Sequence, residues 1–219
     1  MPRVHWSSDS HRRILGRAAT GRGHERRAMR ILIAGIIGGI VVFLWGAVAH
    51  MALPIGEMGM KTAVGQDVAI AAVHGAASPG AGVYMLPGMS PEQWRDEAAR
   101  EAFIAKYSSS PYAFVVYQPD GNPALQSMTP NLVKQWTSNT AGALVLAWVL
   151  ALAAFGFGKR VLIAGALALF AWLAVNVPYW NWYLFPIDFT FAALIEQVVG
   201  WTLAGAAIAW WLARGERRQ

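Results

Sequence analysis

The chain has 219 residues, 56% of them hydrophobic and 14% charged, a balance too apolar for an ordinary soluble domain. It contains no cysteine, which excludes disulfides, thiol catalysis, cysteine-ligated zinc and iron–sulfur clusters. The net charge of +6 does not point to nucleic acid, because residues 1–28 carry seven arginines against two acids and leave the remainder near +1.

Taken in order, residues 1–28 are Arg-, Ser- and Gly-rich with little apolar content, and their composition predicts a disordered basic tail. Met29-Arg30 directly before the first apolar run reads as a natural start for an inner-membrane protein. Four apolar runs follow, at 31–53, 140–157, 161–177 and 189–213, each close to the length of about 20 residues that crosses a bilayer as a helix. The first predicted span occupies 29–53. Gly35 and Gly39 form a G-x-x-x-G pair, and Gly46 and His50 are expected to continue that face toward other helices. Pro54 ends the span.

Residues 54–130 read as a small α/β domain. A helix is expected over 62–77 and a strand over 82–86. Ser90-Pro91-Glu92-Gln93 is a capping-box start for a helix running to about Tyr107, and a second strand covers 112–117. Two strands joined through one helix predict a parallel pair with a right-handed crossover.

Residues 131–213 hold the second, third and fourth predicted spans. Spans two and three are expected to turn at Gly158-Lys159-Arg160, and spans three and four at an aromatic connection over 178–189. In that connection Tyr179, Trp180, Trp182, Tyr183 and Phe185 form an interfacial cap. Residues 214–219 are a short basic tail. The Arg and Lys residues before span one, at 159–160 and after span four place both termini in the cytoplasm and residues 54–139 outside. The predicted fold is therefore mainly α and membrane-embedded: a four-transmembrane-helix bundle with a small extracytoplasmic αβαβ domain inserted between helices one and two.

Glu196, well inside span four, is the residue that most invites a functional reading. Gly200, Ala204 and Ala207 follow on its face, so it is expected to point toward neighbouring helices. His50, Asn176 and Glu196 thus form a candidate polar pocket in the outer half of the bundle. The plainer reading of Glu196 is a polar pin between helices. His74 reads as an ordinary half-buried helix residue, and neither it nor Glu57 completes a spacing diagnostic of a metal site. No catalytic constellation and no cofactor motif stand out.

Gly39–Glu57, with Gly39, Trp45, His50, Pro54 and Gly56, resembles the first span of a group of uncharacterised bacterial inner-membrane proteins. Gly82-Val-Tyr84-Met-Leu-Pro87-Gly88-Met89 and Lys106-Tyr107 are similar to stretches in the outer domain of that group. The resemblance implies a four-span protein with a small extracytoplasmic domain and brings no established activity. The expected partners are membrane lipid and other membrane proteins or further copies of the chain. The expected function is that of a non-enzymatic accessory or scaffold protein. The alternative is a sensor or a small-solute or proton-linked carrier built on the polar pocket.

Overall fold

The computed structural model describes residues 8–77 and 80–216, the side chains of residues 8–22, 24 and 216 excepted. The chain is mainly helical, in the order α1 (Ser8–Met51), α2 (Gln66–Ala76), β1 (Gly82–Leu86), α3 (Pro91–Arg95), α4 (Glu97–Tyr107), β2 (Ala113–Tyr117), α5 (Thr129–Leu150), α6 (Phe157–Tyr183) and α7 (Ile187–Glu216). It divides into two units: residues up to Met60 with those from Pro130 onward, and Lys61–Thr129.

In the helical unit, Glu25–Met51, Phe157–Tyr183 and Ile187–Gly215 are long and apolar enough to cross a membrane, consistent with a membrane protein. Their packing is inside-out by the standard of a soluble domain. The core is small and alanine-rich, with Ala34, Ala143, Ala147, Ala164, Ile208 and Leu212 in one cluster. Larger apolar side chains face outward. On α1 the exposed residues Leu32, Ile36, Ile40, Leu44 and Val48 recur every fourth position as an unbroken stripe. Helices in lipid gain nothing by hiding such chains from the solvent and associate instead through small residues.

Helix neighbours run antiparallel. On α1 and α7, Arg30 meets Leu212 and His50 meets Glu196. On α6 and α7, Gly165 faces Thr202 and Trp172 Nε1 donates to Thr190 O at 2.9 Å. On α1 and α5, Gly39 lies on Thr140, Gly35 on Leu144, and Arg27 reaches Ala151 O.

Several expectations need correction. The helix α1 begins at Ser8, inside the segment expected to be disordered, because the chain enters the apolar run without a break; residues 1–7 lie outside the described residues. The second apolar run is not helical throughout. Here α5 stops at Leu150, the turn lies at 151–156, and Lys159 and Arg160 sit in the first turn of α6. Only Thr140–Leu150 of that run is helical, about 16 Å of rise, and the N-terminal half of α5 carries Lys134, Gln135 and Asn139. For that reason α5 is not among the three apolar helices. The expected aromatic loop is largely helix as well. The helix α6 passes through Pro178 and closes at Leu184, which is left-handed (φ 56°) and donates its N–H to Tyr179 O.

In the second unit, Ser90 caps α3 with a complete capping box. The expected single helix breaks at Asp96, whose extended backbone ends α3 and whose carboxylate accepts from Ala99 N at 3.2 Å to start α4. The expected parallel pair is also corrected: Leu86 pairs with Ala113 and Gly82 with Tyr117, in an antiparallel ladder. These two strands form the whole sheet among the described residues.

Candidate functional site

The last turn of α1 and the middle of α7 bring two titratable side chains together. Pro54 cannot continue α1, so the N–H groups of Ala52 and Leu53 both fold back onto Val48 O at 3.0 Å and the chain enters a 3-10 turn, Pro54–Glu57. That turn lies on His50: a Cβ at Gly56 would fall 3.0 Å from His50 Cα, with the imidazole nearer still. Two residues on, Gly59 has φ +78° and lies against Phe189, where a Cβ would meet the backbone nitrogen at 2.7 Å. Both glycines are therefore needed for the turn to seat against α1 and α7.

From this frame His50 Nε2 reaches Glu196 Oε1 at 3.2 Å. Just below, Trp45 Nε1 donates to Glu196 O at 3.0 Å, and its indole lies over Gly200, where a Cβ would stand 2.6 Å from Cδ1. Gly200 thus lets Trp45 pack on the α7 backbone. Trp45 in turn fixes the turn of helix that carries Glu196. The side chains of His50 and Glu196 are 51% and 36% exposed, so the pair is open on one side and not sealed among the helices. With neutral imidazole the contact is a hydrogen bond donated by Nε2–H; with imidazolium it is an ion pair. Proton exchange between the two groups, or recognition of a polar group at their open side, is the chemistry this arrangement offers.

Asn176 does not join them. Trp172 reaches Thr190, so Asn176 sits a turn nearer the α6–α7 connection, away from the level of Glu196, and its buried Nδ2 has no hydrogen-bond partner among the described residues. The glycines also separate. Gly35 and Gly39 face α5, whereas Gly46 looks toward Glu196 on α7, where a Cβ would stand at an ordinary 4.0 Å from Oε1.

Four of the five cap aromatics (Tyr179, Trp180, Trp182 and Tyr183) belong to the last turns of α6. A chain of ring contacts links Tyr183 to Tyr179 (5.5 Å), Tyr179 to Phe185 (5.3 Å) and Phe185 to Phe189 (5.5 Å). Trp182 and Trp180 project outward from it.

Sequence reasoning missed a second polar system at the opposite end of the helices. Arg160, expected in a turn, is 1% exposed, and its Nε donates to Leu150 O at 3.2 Å. Arg27 donates to Ala151 O at 2.6 Å and Arg30 to Leu212 O at 2.7 Å. Three guanidiniums thus occupy the C-terminal carbonyls of α5 and α7, where cations are favoured. The signal was present in the clustering of basic residues at the ends of apolar runs. In the smaller unit, His74 is exposed rather than half-buried, and its Nδ1 bonds Tyr117 OH at 2.5 Å. Among the described residues no three His, Asp or Glu side chains converge as metal ligands. No protein-family profile, curated protein or solved structure matches this chain.

Proposed function

We propose that the chain is an integral protein of the bacterial inner membrane that crosses four times, with both termini cytoplasmic, and that it serves as an accessory or scaffold subunit. Support for the fourth crossing comes from α5, which lies antiparallel along α1 from Gly39 down to Arg27 and so returns the chain between two helices of the same direction. Support for the orientation comes from Arg27, Arg30, Arg160 and Arg214, which gather at one end of these helices.

One observation carries the scaffold reading. Among the described residues of the smaller unit only Ala77 is buried, while Val64, Val68, Ile70, Val83, Val116 and Leu125 stand exposed. A soluble surface rarely gathers so much apolar area without a partner to cover it. The absence of cysteine makes the test direct. Val83→Cys or Val116→Cys gives a chain with a single thiol, and a maleimide–diazirine crosslinker, coupled to that thiol and photolysed in intact membranes, should insert into whatever covers the surface and yield one adduct of defined mass. A chain that stays monomeric and un-crosslinked at both positions overturns the reading.

The contact between His50 and Glu196 favours one second reading, a proton-linked sensor or carrier. Glu196→Gln separates the two. It removes the charge while keeping an acceptor for His50, so a carrier or sensor loses its pH response, and a scaffold keeps its partners.

A further inference from the structure

The smaller unit holds a groove of about 920 Å³ between α2 and β2. Ala69, Ile70, Val73 and His74 form one wall. The other includes three consecutive strand residues, Val115, Val116 and Tyr117. Successive side chains of a strand point to opposite faces, so a cavity touching three in a row meets the strand at its edge and not on one face. No residue of β1 lines it, and β1 is the sole partner of β2 in the sheet among the described residues. The groove therefore runs along the edge of β2 at residues 115–117 that β1 does not pair, where alternate residues direct their N–H and C=O groups outward.

We propose that this groove takes an extended, apolar and basic polypeptide segment of a partner protein as a third strand. The inference rests on the accessory reading above and names the chemistry of the partner. Three features select the occupant. Unpaired main-chain donors and acceptors in strand spacing are matched in register only by another extended backbone. The walls leave Ile70 64%, Val116 73% and Leu125 87% exposed, a demand for apolar side chains that a strand supplies at alternate positions. The lining contains one carboxylate, Asp120, and neither lysine nor arginine, so the field at that end favours a cationic residue. The three strand residues that line the groove, about 10 Å of extended chain, set the paired stretch at three to four residues.

The test uses the full chain in nanodiscs as bait for phage-displayed random heptapeptides, with the Ala69→Trp protein as counter-bait. Ala69 is an exposed helix position, so the indole fills the groove without entering a core. Ile70→Lys, also on the exposed face of α2, is the second variant and opposes a basic segment by charge. The expected selection is alternating apolar residues with Lys or Arg near one end. The synthetic peptide should bind the unmodified chain and neither variant. Methylating its main-chain nitrogens at the edge-facing positions should weaken binding roughly tenfold per donor removed, and Asp120→Asn about two- to fivefold. No enrichment, equal binding to the Ala69→Trp chain, an unimpaired N-methylated peptide, or enrichment displaced by anionic phospholipid vesicles would each overturn the proposal. Crosslinking from Val83→Cys, on β1 and outside the groove, reports separately on the scaffold reading. An adduct without peptide selection removes the groove alone; selection without an adduct removes the assembly alone.

Discussion

Two alanine substitutions on the same helix should have opposite consequences. A Cβ at Gly39 would lie 2.7 Å from Thr140 Cα and 3.0 Å from Thr140 Cβ. Thr140 cannot relieve this by swinging its side chain aside, because its backbone Cα is itself too close, and its hydroxyl, nearest of all at 2.6 Å, is already bonded to Trp136 O at 2.8 Å. Relief requires α5 to move away by about 0.7 Å, the step from 2.7 Å to the 3.4 Å of ordinary contact. That movement also loosens Leu144 on Gly35 and Ala143 near Gly38. Overpacking of this kind costs about 1–3 kcal/mol, and the better helix propensity of alanine returns up to about 1 kcal/mol. The net loss for Gly39→Ala is about 1–2 kcal/mol. At Gly46 the nearest atom is Glu196 Oε1 at 4.0 Å, so Gly46→Ala meets no obstruction and keeps the propensity gain. Thermal unfolding in one detergent, followed by intrinsic tryptophan fluorescence, reads the difference. At about 2–4 °C per kcal/mol for a chain of this size, Gly39→Ala should melt roughly 3–6 °C lower, and Gly46→Ala at or above the parent. Equal midpoints for the two variants, or the reverse order, would refute the close approach of α1 and α5.

Arg160→Met keeps the apolar stem and removes the guanidinium that Leu150 O accepts from. Charge-assisted bonds of this kind are worth about 1.5–3 kcal/mol, so the melting midpoint should fall by roughly 5–10 °C in the same assay. Gly59→Ala forces a side chain into a left-handed backbone and against Phe189 N. A loss of at least about 1–2 kcal/mol is expected, with faster proteolysis at 54–60 as the local readout. In the smaller unit, the Ser90 side chain, followed by the Glu92 backbone, holds the exposed Glu92 carboxyl below its ordinary value of 4.5. The folded form thus prefers the carboxylate. The stabilisation from this contact is complete above that ordinary value and disappears as pH falls through the depressed one. Carbon-detected NMR titration of Glu92 should show its midpoint move upward in Ser90→Ala, and an unchanged midpoint would remove Ser90 as the cause.

Much of the fold was legible because strong local signals met no competition. The capping box at Ser90 and the aromatic and β-branched run at 113–117 each form the element their chemistry dictates. Hydropathy fails where composition is uniform. Ala151–Gly156 is as apolar as the helix before it, and the turn there is located by guanidiniums from α1 and α6 reaching carbonyls distant in sequence. Pro178 misled in the other direction, since a helix tolerates a lost N–H when neighbouring contacts such as Trp172 with Thr190 hold its flank. The division of the expected single helix fell at Asp96, a single residue able to end one helix and cap the next. Of the candidate pocket, the pairing of His50 with Glu196 followed from residues placed on facing helices. Asn176 did not follow, because face is set by periodicity but depth is set by where a turn falls.

The arginines of α1 impose an order on assembly. Arg27 bonds a carbonyl 124 residues later in the chain and Arg30 one 182 residues later. At ribosomal speeds of about 5–20 residues per second, the acceptor for Arg30 emerges roughly 10–40 s after its donor. The helix made first is thus the last to be fastened. Until Leu212 arrives, its guanidinium must rest on water or lipid phosphate, so any chain truncated before α7 leaves that cation to the solvent or the headgroups, a chemical mark of incompleteness.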